Sequence, residues 1–167
     1  MKTIIIEDRG QIESIISRCT TCFVGFTDLE GNPYVIPMSF GYEAGVIYFH
    51  SGTESSIFAM LKRNPHVCVT FCPEGELVWR DEQVACSYSM RSDSVICRGT
   101  VTLVDEMEAK RHALDILMRN YTDRSFHYSD PAVRNIIVWT VNVDRMTAKS
   151  FGLRPIRKDF INNRKEG

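Results

Sequence analysis

The chain has 167 residues, 44% hydrophobic and 25% charged, a size that fits one domain with a substantial core. Its net charge of -1 excludes a global basic field for nucleic acid or an anionic membrane, so any partner must be recognised locally. No apolar run is long enough to span a bilayer, which excludes a helical membrane protein.

The start, Met1-Lys2-Thr3-Ile4-Ile5-Ile6-Glu7, reaches an acid too early for a secretory signal core, so a cytoplasmic location is expected. Cys19, Cys22, Cys68, Cys72, Cys86 and Cys97 are then expected as thiols. No repeat or linker divides the chain. Residues 1–167 read as one unit with a core at about 8–150 and a charge-rich tail from Arg154 to Gly167.

Asp8, with Gln11 three residues on, predicts a helix N-terminus, and Ile12, Ile15, Ile16 and Cys19 share one face of that helix. Cys22, Val24 and Phe26 then alternate as in a strand, and 28–33 supply turn residues before a second strand, giving a hairpin. Val46–Phe49 predicts a third strand. A short helix follows, with Ser51 or Thr53 as cap, Ile57, Phe58 and Leu61 inward, and Asn64-Pro65 as the stop.

Further strands are expected at His66–Phe71, Leu77–Trp79, Ala85–Met90 and Ser94–Val104. Asp105 with Glu108 opens a longer helix whose Met107, Leu114, Leu117, Met118 and Tyr121 share a face, and a last strand covers Ile136–Val143. Many short strands with tight turns and few helices predict a closed or partly open antiparallel barrel, because closure removes unpaired edges.

Two local features carry chemistry. Pro37 interrupts an apolar strand, and read locally it is an edge-strand residue. His50-Ser51 precedes a helix start where free N–H groups favour an anion, with Ser51, Thr53, Ser55 and Ser56 as hydroxyl donors; read locally these are helix-start residues, and His50 is an edge histidine. Cys19-x-x-Cys22 is half a zinc site without a second pair, so no metal is expected. Trp79 and Trp139 are expected as core or interface aromatics. The stretch 121–128 packs on the barrel or lines a pocket.

The ordered motifs "VIPMSFGYEAGVIYFHS", "LKRNPHVCVTF" and "ACSYSMRSDSVICRGTVTLVDEMEAKRHALDILM" resemble those of the pyridoxamine 5'-phosphate oxidase-like flavin-binding proteins, over about residues 8–150. The nearest branch resembles the nitroimidazole-resistance, or nitroimidazole reductase-like, proteins. The resemblance implies a mainly β fold with flanking α: a six-stranded antiparallel Greek-key split β-barrel. It also implies a homodimer holding a flavin at its interface, usually FMN.

By that resemblance Ile36, Pro37, Met38, Ser39 and Phe40 line the flavin ring. His50, Ser51, Ser55 and Ser56 lie at the phosphate, Met90, Arg91 and Ser94 contribute from a later strand, and His50 is the candidate proton handler. The implied activity is transfer of electrons to a small acceptor such as a 5-nitroimidazole. A flavin- or haem-binding carrier or sensor, or an empty dimerisation module, is the alternative. The chain departs from the pattern where relatives place basic residues: Ser55-Ser56-Ile57 and Asp93 stand there, leaving Arg91 and Arg98 as substitutes and FAD as an alternative to FMN.

Overall fold

Asp8 caps the first helix as its side chain dictates: the carboxylate accepts the Gln11 N–H at 2.8 Å. The computed structural model describes residues 3–152, and the charge-rich tail 154–167 lies outside the described residues. In chain order the elements are β1 (Thr3–Ile6), α1 (Arg9–Ser17), β2 (Cys22–Thr27), β3 (Pro33–Met38), β4 (Gly41–Glu43), β5 (Val46–Gly52) and α2 (Ile57–Arg63). They continue with β6 (His66–Phe71), β7 (Glu76–Val78), a 3-10 turn (Ala85–Ser87), β8 (Ser89–Val104), α3 (Met107–Arg119), α4 (Asp130–Arg134) and β9 (Ile136–Phe151).

The β2–β3 hairpin forms because its turn is built for it. Asp28 Oδ1 accepts the N–H groups of Glu30 and Asn32 at 2.9 and 2.7 Å, and Gly31 takes the positive φ of 94°. Cys22, Val24 and Phe26 then point inward and are buried, as their alternation predicts.

All the strand pairs are antiparallel, in the order β3-β2-β6-β8-β9-β5-β4, with β1 on β9 and β7 on β8. The mainly β split-barrel class with few helices is therefore as expected. The strand count is not: nine strands stand among the described residues where six were expected. Short β1, β4 and β7 add to the frame, and β8 and β9 run to 16 residues each. With that length β9 pairs with β8 on one side and with both β5 and β1 on the other.

Aromatic packing joins the two ends of the sheet through the interior. Trp139 on β9 stacks on Phe49 of β5 at 4.2 Å between ring centroids, and Phe26 of β2 tilts against it at 6.2 Å. Ile12, Ile15 and Ile16 of α1, and Cys19 just after it, are buried in the same core. On the other side α3 lies so close to Gly41 that a Cβ there would sit 2.8 Å from the backbone of Ile116 and Leu117.

Four local expectations are corrected. Neither Ser51 nor Thr53 caps α2: Ser51 remains in β5, where its Oγ accepts the Trp139 Nε1–H at 3.3 Å, and the helix begins only after Ser56. Glu106, not Asp105, occupies the N-cap of α3, without a side-chain cap bond. The expected strand Ala85–Met90 is a 3-10 turn up to Ser87, because Ser87 Oγ donates to Asp81 O and the Tyr88 hydroxyl donates to Glu82 O, closing that loop on itself. The last strand extends eight residues past Val143.

All six cysteines are free. Burial pushes Cys19 up to about 11, and Cys22 and Cys97 up to about 12, from an ordinary 9.0. These three are packing residues, held protonated at neutral pH and unsuited to nucleophilic or metal chemistry. Their raised folded values mean that the stability they contribute is complete below about pH 9 and is lost as pH rises toward 11 and 12. Each thiol should lower the unfolding free energy by about 1.4 kcal/mol per pH unit between its two pKa values. Urea unfolding at pH 8, 9.5 and 10.5 checks this; equal midpoints would contradict it.

Candidate functional site

The sheet presents a continuous outer face. Inward Val95, Cys97 and Gly99 alternate on β8 with outward Ser94, Ile96 and Arg98, and on β9 Arg145, Thr147 and Lys149 face out. Strand register sets one outer row as Pro37, Phe23, Thr70, Ile96 and Thr147 across five strands. The next row is Val35, Gly25, Cys68, Arg98 and Arg145. Phe23 is 45% and Val35 62% exposed, so a large apolar area faces outward here.

Pro37 sits on β3, the end strand of the sheet order. Pairing with β2 continues through it, Phe23 opposite Pro37 and Cys22 opposite Met38, so the proline does not interrupt that ladder. It occupies the edge strand where a missing N–H costs least, and the far edge of β3 pairs with no strand among the described residues. Ile36 and Met38 pack against the core, so what this stretch offers a ligand is backbone and the face of Pro37.

Ser39 is exposed in the bend after β3, and Phe40 is fully buried, edge-on to Phe71 at 4.8 Å. The Phe40 N–H donates to the Tyr121 hydroxyl at 2.9 Å, and that hydroxyl donates to Thr20 O at 2.9 Å. Tyr121 therefore ties the end of α3 to the bend and to the segment after α1. Tyr128 is half-buried with its hydroxyl shielded from solvent, and that hydroxyl is raised to about 12 by burial and by Asp115 beside it. Within 121–128, Tyr121 anchors the segment through these two hydrogen bonds, Tyr128 lies beside Asp115 of α3, and Phe126 is exposed.

His50 is exposed on β5, opposite Val138 of β9. Ser51 points inward to Trp139. Ser55 Oγ accepts the Ile57 N–H at 3.4 Å, and Ser56 makes no side-chain cap bond. Met90 is exposed opposite Leu77. Arg91 forms an ion pair with Glu76, which takes it from the set of free cations. Ser94 lies opposite Lys149.

Register also separates these residues. His50 aligns with Val138 and Ser94 with Lys149, eleven positions apart on β9, or about 36 Å of extended strand. Residues of the His50–Ser56 group and of the Ser94 group do not line one small ligand within a single chain. Asp93, which stands where a cation was expected, turns to the inner side and binds Arg18 at 2.6 Å. Burial alone would raise its pKa, yet hydrogen bonds from Arg18 and Ser150 and the charges of Arg18 and Arg91 hold it below the ordinary carboxylate value. Its carboxylate is thus committed to α1 and does not repel an anion on the outer face.

A flat anionic cofactor fits the residues present. The open edge of β3 supplies backbone groups, Phe23, Val35 and Pro37 supply apolar surface, and Arg98, Arg145 and Lys149 supply outward cations. Arg145 and Lys149 lie beyond Val143, the expected end of the last strand, and so fall outside the sequence-derived site. The alternation Arg145, Thr147, Lys149 was the available signal. Among the described residues no group of three or more His, Cys, Asp or Glu stands together to hold a metal, and no helix is long and apolar enough to cross a membrane.

The family profile described as "Pyridoxamine 5'-phosphate oxidase" matches residues 8–150. No curated protein matches the chain. Among solved structures, a candidate 5-nitroimidazole antibiotic resistance protein from Bacteroides thetaiotaomicron VPI-5482 is 59% identical, with a TM-score of 0.84 over 91% of this chain and 89% of that one. The flavocytochrome Anf3 from Azotobacter vinelandii is 17% identical with a TM-score of 0.76, over 98% of this chain and 76% of its own. The FAD and heme binding protein from Mycobacterium smegmatis is 19% identical with a TM-score of 0.76, over 98% and 80%. The last two show the shared fold. With most of its length matched by the profile and its motifs seated on this sheet, the chain belongs to the pyridoxamine 5'-phosphate oxidase family.

Proposed function

We propose that this protein is a flavin-dependent oxidoreductase that passes electrons to a small acceptor of the 5-nitroimidazole type. The observation that carries the reading is the 59% identity, over 91% of this chain, to the candidate 5-nitroimidazole antibiotic resistance protein. The flavin follows from the family and from neighbours named for binding FAD, haem or both. FMN is the first choice, with FAD the alternative because Ser55-Ser56 bring no cation to the helix start.

The flavin supplies the redox chemistry, and the chain's own residues bind and orient it. We assign Ile36, Pro37, Met38 and Ser39 to the flavin through main-chain groups along and just past the open edge, with buried Phe40, its N–H held by Tyr121, fixing the chain behind them. His50, Ser51, Ser55 and Ser56 form one flank, and Met90, Arg91 and Ser94 the other, with exposed His50 able to hold a proton near the acceptor. Because the flanks lie far apart along β9, we assign the complete site to a homodimer in which each chain supplies one flank. The exposed apolar residues Phe23, Val35, Leu77, Trp79 and Met90 are the surface that such a dimer covers. We read residues 1–167 as one flavin-binding unit working in the cytoplasm.

Anaerobic assay with NADH or NADPH and a 5-nitroimidazole tests the activity. Oxidation of the nicotinamide only when both flavin and nitro compound are present supports it. A flavin-loaded protein that neither accepts nor delivers electrons would favour the carrier or sensor reading, which the haem- and flavin-binding neighbours keep open.

A further inference from the structure

We propose that Arg98, Arg145 and Lys149 form a phosphoryl-binding site on the outer face of β8 and β9, taking the phosphate or pyrophosphate end of a ligand. Arg98 and Arg145 are register partners, directly opposite each other. Like charges so placed oppose folding, and chains normally relieve them with a neighbouring acid. Here no carboxylate among the described residues pairs with any of the three, whereas Arg18, Arg91 and Arg119 each hold one and Arg111 holds two. Asp144 lines the adjoining 510 Å³ cavity with Arg98 but forms no ion pair with it.

The three cations surround a cavity of 230 Å³ with Ile96 and Thr147 as its remaining lining. That is below the roughly 300–1,000 Å³ of a site that encloses a whole small molecule, so the cavity suits an anionic end group. Two guanidinium forks match phosphate oxygens bidentately, Lys149 adds a point charge, and the Thr147 hydroxyl is a further donor. The site shares its face with Ser94, the register partner of Lys149. A phosphoryl group reaches it from the flavin itself or from a second phosphorylated ligand, and only the first source rests on the flavin reading.

The test titrates inorganic pyrophosphate, FMN, FAD and riboflavin into the wild-type protein as purified and after flavin removal, and into Arg98→Gln and Arg145→Gln. Pyrophosphate should raise the melting temperature of the wild type, and each variant should bind it about 10- to 100-fold more weakly, as loss of a charge-assisted hydrogen bond implies. Without ligand both variants should melt at or above the wild type, since the like-charge opposition is gone; a purely structural pair would do the reverse. If the flavin is the source, FMN and FAD weaken in parallel while riboflavin is unchanged. If a second ligand is the source, flavin affinity is unchanged and pyrophosphate binding to the flavin-loaded protein weakens. The proposal is overturned if wild type and variants bind pyrophosphate alike or not at all. It is equally overturned if the variants split an oligomer with no change in pyrophosphate affinity, because the cations would then pair with a second copy. Should the chain hold no flavin, the flavin reading falls alone and the pyrophosphate titration still decides.

Discussion

Gly99→Ala should leave little folded protein. A Cβ at this position would lie 2.1 Å from Asn142 O, 2.9 Å from Asn142 C and 2.8 Å from Val141 Cγ1. The obstacle is mainly backbone of β9, held by pairing to β8 on one side and β5 on the other, so it has no room to retreat. The register shift falls between Arg98 and Gly99, so the extra residue Asp144 of β9 bulges next to this close approach. Forcing β8 and β9 apart here would break the pairing that joins the β3-β2-β6 side of the sheet to the β5-β4 side. The expected cost is about 4 kcal/mol or more, at the exceptional end of single substitutions. Gly52→Ala is the control, since nothing lies within 4 Å of its added Cβ, and it should stay within about 0.5 kcal/mol of wild type in urea unfolding. Equal stability of the two variants would show that the β8–β9 approach is looser than described.

Trp139→Ala should be the most damaging of the truncations in the core, by about 3–5 kcal/mol. Trp139 is fully buried and touches aromatic rings from two other strands, Phe49 at 4.2 Å and Phe26 at 6.2 Å. It is the residue through which β2, β5 and β9 meet inside the barrel. Its indole N–H also donates to Ser51 Oγ, which keeps that hydroxyl directed inward and Ser51 in the strand. Trp139→Phe retains most of the ring packing and loses the donor, so it should cost about 1–2 kcal/mol. A Phe variant as unstable as the Ala variant would shift the weight from packing to the hydrogen bond.

Much of the frame was legible because its signals are local. Asp8 with Gln11, the alternation of Cys22, Val24 and Phe26, and the Asp28–Asn32 turn each specify geometry within a few residues, and each appears as read. The cap of α2 was misread for a non-local reason. Ser51 has the chemistry of a cap, but an indole 88 residues away takes its hydroxyl. The length of β9 was missed because polar Asp144, Arg145, Thr147 and Lys149 look like a strand end, whereas they are the outward half of a strand whose Met146 and Ala148 face the core.

The site was legible only as motifs. Spacing within "VIPMSF" or "FHSGTESS" says nothing of the distance between them, which pairing on β9 sets. Asp93 shows the same limit. In sequence it replaces a cation, and in the fold its partner is Arg18, 75 residues away and on the other side of the sheet. Arg145, whose register partner Arg98 comes from a different strand, carries no sequence signal that the two guanidinium groups face each other.

Whether this sheet carries a flavin is read from the absorption spectrum of the freshly purified protein, with mass analysis of what denaturation releases. Flavin bands and a released mass of FMN or FAD are expected, and the mass also decides between the two. A colourless protein that takes up neither FMN nor FAD when they are added would contradict the flavin site, and the oxidoreductase reading would fall with it.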